Sequence, residues 1–160
     1  MRILVCTSVG PNSGYGRDGI GLVKALMDAG HTVDLAPLTV YTPLPAEVAA
    51  LFTYGVEGKY DLEIHHVPPM GANQYPVDRN RSRKTVLWTM WEWDTFPESV
   101  PGWDKAMQGI PRYDHVVAYT QQTIDALRSA GPEGFLPDDK VSVVQGGIDP
   151  TLWYPITDRR

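Results

Sequence analysis

One succession of segments near the N-terminus constrains this chain more than anything else in it. Ile3-Leu4-Val5-Cys6-Thr7 is a short apolar run, as expected of a strand buried on both faces. It ends in a stretch of turn formers, Ser8-Val9-Gly10-Pro11-Asn12-Ser13-Gly14-Tyr15-Gly16. Ile20, Leu22, Val23, Leu26 and Met27 then recur at helical spacing. Gly30 suits the left-handed end of a helix, and His31-Thr32-Val33-Asp34-Leu35-Ala36 reads as a second strand. A strand, a loop, a helix and a strand in this order form a unit whose right-handed crossover lays both strands parallel in one sheet.

The alternation continues along the chain. Residues 45–52 predict a short helix begun by proline, and 62–67 a strand. Residues 68–82, with Pro68, Pro69, Gly71 and Pro76, predict a mobile loop. A strand over 84–90 leads into the aromatic segment Trp91-Glu92-Trp93-Asp94-Thr95-Phe96. A helix beginning near Pro97 or Pro101 and running to about Ile110 follows, then a strand over 115–119. A helix over 120–130, capped by Thr120 and backed by Gly131, and a strand over 141–144 complete the pattern. No internal repeat is evident. The order predicts an α/β fold: a Rossmann-like, doubly wound domain over residues 1–150, with a mainly parallel sheet of about six strands flanked by helices. Residues 151–160 read as the start of an interdomain linker or a tail.

Composition agrees with a globular domain rich in loops. Of 160 residues 42% are apolar and 21% charged, with 15 glycines and 14 prolines. A chain of this length buries roughly 70% of its unfolded surface and needs no staples. A net charge of −5 argues against a nucleic-acid footprint. The single cysteine, Cys6, excludes an internal disulfide and a cysteine-rich zinc site, and its apolar setting reads as a small buried hydrophobe. With neither a signal-peptide h-region nor a run of about 20 apolar residues, the chain is expected to be cytoplasmic and to lack a transmembrane segment.

Ligands of such folds bind beyond the carboxyl ends of the strands, which directs attention to loops 9–16, 65–72, 90–97, 120–121 and 145–149. The first loop opens a helix, and backbone amides there attract phosphates or oxyanions. Gly14-x-Gly16-x-x-Gly19 matches the dinucleotide expression. However, Asp34 lies inside the second strand, and Pro37 and Leu38 occupy the place of the ribose-binding acid. The glycines equally suit a tight turn and close helix packing. His65 and His66 are adjacent on a strand and point to opposite faces, so they cannot chelate one metal side by side. At most one faces the cleft, to accept a proton or bind a hydroxyl, and a structural role is the alternative.

The densest signal is aromatic. Trp88, Trp91 and Trp93 cluster, and Trp103 follows. Such rings stack on the apolar faces of sugars, while Glu92 and Asp94 can bind hydroxyls. Trp88, inside its strand, is expected to fill the core; Trp91 and Trp93, in a proline-bounded loop, are expected to face ligand. The two carboxylates alone do not make a glycosidase, because a loop leaves their separation unset. In the last loop, Gln145-Gly146-Gly147-Ile148-Asp149, adjacent glycines allow close approach of backbone to a ligand or another domain.

Taken in order, these pieces resemble the N-terminal, acceptor-side half of a GT-B glycosyltransferase of the retaining family-4 kind. Four passages carry the likeness. Ser13-Gly14-Tyr15-Gly16 and its helix lead to Ala29-Gly30-His31-Thr32-Val33, similar to the family's "G-H-x-V" entry into strand two. Thr89-Met90-Trp91-Glu92, continuing to Phe96-Pro97, resembles a "W-E" loop. Asp114-His115-Val116-Val117-Ala118-Tyr119-Thr120-Gln121 resembles "D-x-V-x-x-x-S". Lys140-Val141-Ser142-Val143-Val144-Gln145-Gly146-Gly147-Ile148-Asp149, ending at Trp153-Tyr154-Pro155, resembles the passage that closes on "G-V-D-x-x-x-F-x-P", with Gly146 in place of a usual Asn or His.

The resemblance implies transfer of a sugar from a nucleotide-sugar to a hydroxyl acceptor. Gly14, Tyr15, Gly16, Gly146 and Gly147 would then border the donor, and Trp91, Trp93, Asp94, Thr120, Gln121 and Asp149 the substrate. Glu92 and His65 would be the catalytic candidates. It implies no metal and no cofactor besides the donor itself. The family's donor-binding domain, with its E-x7-E motif, has no counterpart in these 160 residues, so the implied partner is a donor-domain chain or a second copy. Two other readings stay open: a binding or regulatory protein that keeps the fold without the reaction, burying Trp153 and Tyr154 against a partner, and a small nucleotide-binding flavodoxin-like protein.

Overall fold

The computed structural model describes residues 1–53, 58–75 and 77–145, so Gly146, Gly147 and Asp149 lie outside the described residues. Six strands form one sheet: β1 (Arg2–Val9), β2 (Thr32–Val40), β3 (Leu62–His66), β4 (Thr85–Thr89), β5 (His115–Ala118) and β6 (Val141–Val143). Their order is β2-β1-β3-β4-β5-β6, and every neighbouring pair is parallel. Among the described residues four α-helices accompany them: α1 (Gly14–Asp28), α2 (Ala46–Ala49), α3 (Trp103–Gly109) and α4 (Gln121–Ala130).

The direction of winding reverses at β1. The chain steps from β1 to β2 through α1, then crosses back and proceeds through β3, β4, β5 and β6. Right-handed crossovers taken in opposite directions place their helices on opposite faces. Accordingly, Val23 of α1 packs with Ile3, Val5, Val33, Leu35 and Ile64 on one face. Ala106 of α3 and Ala126 and Leu127 of α4 pack with Leu87 and Val116 on the other. β1 takes part in both layers, its Ile3, Leu4 and Val5 all fully buried, which is why it reads as a continuous apolar run. In a sheet wound this way the reversal between β1 and β3 marks, at the carboxyl ends of the strands, the crevice in which such folds bind ligands.

Local chemistry sets the element boundaries. α1 starts within the glycine stretch because Ser13 caps it, its Oγ accepting from the Gly16 N–H at 2.9 Å. β2 runs past the expected end at 36 and through Pro37; it is an edge strand, which needs no donor on its open side. The helix expected from 97 or 101 begins only at Trp103, because Gly102 sits at φ +85° and no α-helix passes through that conformation. The helix expected over 45–52 shortens to Ala46–Ala49. The segment after β3 holds a 3-10 turn at Pro69–Gly71 and is fastened by Arg79 to Asp114 and by Arg81 to Glu63. Among the described residues, no helix is long and apolar enough to cross a membrane.

Candidate functional site

The strand tips gather four elements: the N-terminus of α1, the end of β3, the aromatic loop after β4, and the N-terminus of α4. At α1 the three glycines of the dinucleotide-like pattern divide by role. A Cβ on Gly19 would lie 2.3 Å from the Ser8 carbonyl oxygen, and one on Gly16 would lie 2.4 Å from that of Gly10. Both are packing positions, where the helix comes closer to the strand, or to the loop that follows it, than any side chain permits. Gly14 faces open space, and the first turn of α1 carries no acidic residue. The end of β2 offers no acid to a ribose, and Asp34 is held by Arg2, Nη2 to Oδ2 at 2.7 Å.

His66, not His65, belongs to this end of the crevice on the α1 face. It stands in register with Thr7, whose Oγ1 is 2.8 Å from its Nδ1; Nε2 is 2.9 Å from the Tyr119 hydroxyl, and the Tyr15 ring lies 4.9 Å from its own. Burial lowers the His66 pKa to about 4, so the imidazole is neutral at pH 7. Burial likewise pushes the Tyr15 hydroxyl up to about 12, and raises that of Tyr119, to which Asp18 adds. Tyr15, read as a donor contact, spends its hydroxyl on the backbone of Met90, 3.2 Å from both N and O.

The aromatic loop splits into a buried and an exposed half. Trp91 is only 8% exposed and belongs to the core; its indole N–H donates to the Thr95 carbonyl at 2.7 Å, and Phe96 meets it edge-on at 4.6 Å. The expectation that Trp91 offers a ring face to ligand is thereby corrected, because the helices beyond β4 leave apolar volume that this indole fills. Trp93 is 60% exposed and packs its ring 4.8 Å from that of Trp91, between the exposed Glu92 and Asp94. Thr120 caps α4 as expected, its Oγ1 accepting from the Thr123 N–H at 3.1 Å. Gln121 is exposed and donates to Asp125 at 2.8 Å. Trp88 is half-buried against the α1 layer rather than enclosed.

His65 points to the opposite face and is fully buried there, the Tyr75 ring of the loop after β3 standing edge-on 6.1 Å from its own. Its Nε2 lies 2.6 Å from Glu63 Oε1 and its Nδ1 2.6 Å from the Tyr113 hydroxyl. Arg81 and Ser82 donate to the same Glu63 carboxylate. Burial alone would raise Glu63, but the hydrogen bonds from His65, Arg81 and Ser82 outweigh it and bring the carboxyl down to about 2. With both ring nitrogens engaged and no exposed surface, His65 reaches no ligand in the crevice. Cys6 is buried as expected, its thiol pushed up to about 12 by burial and then by Glu63. Ligand atoms of Cys6, Glu63 and His65 lie within 4.8 Å of one another, the one such grouping among the described residues. A cation there would have to part the Glu63–His65 bond beside the Arg81 guanidinium, so these residues fit an ion poorly.

Two concavities of about 440 and 250 Å³ lie at the other end of the sheet, around residues 131–138 and the approach to β5, remote from the strand tips. No protein-family model matches this chain, and no curated protein matches it significantly. The grouping of Thr7, Tyr15, His66 and Tyr119 escaped sequence reasoning. Strand alternation placed the two histidines on opposite faces, but which face α1 covers depends on the direction of winding.

Proposed function

We propose that the crevice at the strand tips holds a nucleotide-sugar and a hydroxyl acceptor, the domain acting as the acceptor-side half of a glycosyltransferase completed by a donor-binding domain or chain. The observation that carries this reading is a juxtaposition: the open end of α1 touches the root of the loop that presents Trp93, through Tyr15 on Met90. The first turn of α1 at Gly14 suits the leaving phosphate, since a helix N-terminus with no acid of its own favours an anion. Trp93 supplies a ring face for a sugar, and Glu92 and Asp94 supply acceptors for its hydroxyls. The domain's share of the reaction is then positioning and charge stabilisation.

A second reading, a binding module without turnover, draws on one observation. The buried His66 and the half-buried Tyr15 and Tyr119 at the tips already bond to protein partners, which leaves exposed carboxylates as the acids and bases at hand. Thermal-shift titration against UDP-, GDP- and ADP-sugars tests both readings, followed by assays for sugar transfer and donor hydrolysis. A stabilising shift that saturates supports the site, and turnover separates enzyme from binding module. No shift from any nucleotide-sugar at millimolar concentration overturns both.

A further inference from the structure

β4 ends at Thr89, and the next two residues leave the sheet with backbone donors and acceptors that still need partners. Each residue is served at both of its polar groups by a single side-chain hydroxyl. The Met90 N–H donates to Tyr15 Oη at 3.2 Å, and that hydroxyl donates back to the Met90 carbonyl at 3.2 Å. The Trp91 N–H donates to Thr123 Oγ1 at 3.2 Å, and the threonine hydroxyl donates back to the Trp91 carbonyl at 3.1 Å. Tyr15 lies in the first turn of α1 and Thr123 in the first turn of α4, so the grip comes from helices on opposite faces of the sheet. Thr123 is fully buried, and its own N–H is held by the Thr120 cap.

We propose that Tyr15 and Thr123 are positioning residues, a pair of hydroxyl clamps that fix the aromatic loop relative to the open end of α1. The clamped residues are the root of the loop. From Trp91 the constraint passes outward: its indole is tied to Thr95 and wedged against Phe96, and it is the surface on which Trp93 packs. The exposed ring of Trp93 therefore stands at one distance from Gly14. A ligand with a phosphate at α1 and a sugar on Trp93 is selected by that spacing, which is how this inference rests on the proposed function.

The test reads the clamps without any ligand. Protein labelled with 5-fluorotryptophan gives one ¹⁹F resonance for each of the five tryptophans, with that of Trp93 assigned through Trp93→Phe. Amide exchange followed by NMR reports residues 90 and 91 separately. Tyr15→Phe is expected to speed exchange at Met90 by roughly tenfold and spare Trp91, while Thr123→Val does the reverse. Both are expected to shift the Trp93 resonance, and Thr123→Ser, which keeps the hydroxyl, to restore exchange and resonance alike. An unmoved Trp93 resonance in folded Tyr15→Phe overturns the proposal, and that variant decides the matter if Thr123→Val does not fold. Failure of nucleotide-sugars to bind overturns the proposed function and leaves these readouts untouched, so the two ideas fall separately.

Discussion

Thr7 and His66 face each other in register across β1 and β3, the threonine Oγ1 2.8 Å from the imidazole Nδ1. The contact sits where the sheet changes its direction of winding, beneath α1, and it keeps the imidazole in a setting that excludes water. Burial brings the His66 pKa from 6.5 to about 4, so an unfolded chain takes up its proton well before the folded one. The stability this supplies is complete above pH 6.5 and is lost as pH falls from there toward 4, roughly 3 kcal/mol across the window. Urea unfolding at pH 7 and pH 5 should show the fall, and His66→Gln should flatten it.

Glu63 governs a lower window. Its carboxyl sits at about 2 against an ordinary 4.5, so its contribution is full above pH 4.5 and is lost as pH falls toward 2. The Arg81 guanidinium is central to this, because Glu63 is wholly enclosed. Arg81→Met should cost about 3–5 kcal/mol in urea unfolding at pH 7, as expected when a buried carboxylate loses its partner. Adding Glu63→Gln to that variant should recover part of the loss; no recovery would mean that the damage lies in packing rather than in charge.

The glycines of α1 should separate in a simple stability series. Gly19→Ala puts a methyl against the Ser8 carbonyl and should cost about 1–3 kcal/mol, since the helix has to lift off β1. Gly14→Ala meets nothing within 4 Å and should change the unfolding free energy by less than about 0.5 kcal/mol. Equal losses at the two positions would contradict the division between packing and open glycines.

The two neighbouring tryptophans of the aromatic loop should part in the same way. Trp91→Ala empties a core position and should cost about 3–5 kcal/mol. Trp93→Ala removes a largely exposed ring and should cost under about 1 kcal/mol, while abolishing any thermal shift that a sugar ligand produces. Circular dichroism melting and ligand titration of both variants measure the contrast.

Much of the architecture was legible in residue order. Ile3 to Thr7 announced a doubly buried strand, the spacing of Ile20, Val23 and Met27 a helix, and Thr120 a cap, because each is a local property of backbone or periodicity. What lay beyond reach depends on contacts between distant residues. Arg81 reaches Glu63 across 18 positions and Tyr113 reaches His65 across 48, so nothing near His65 in the chain reveals that its nitrogens are spoken for. Trp91 is a case of the same kind: a proline-bounded loop rich in charge reads as solvated, whereas α3 and α4 leave room for its indole in the core. The aromatic loop is legible as a segment of the sequence; that only Trp93 of its two indoles is exposed is not.

The tight seat of Gly19 on the first strand has a practical corollary for anyone who would redesign this crevice. That seat is closed to editing, since even the smallest side chain is too large there, whereas Gly14, Glu92, Trp93 and Asp94 are exposed positions that tolerate variation. A library restricted to those four positions would vary the surface at the strand tips while leaving the scaffold beneath it as it is.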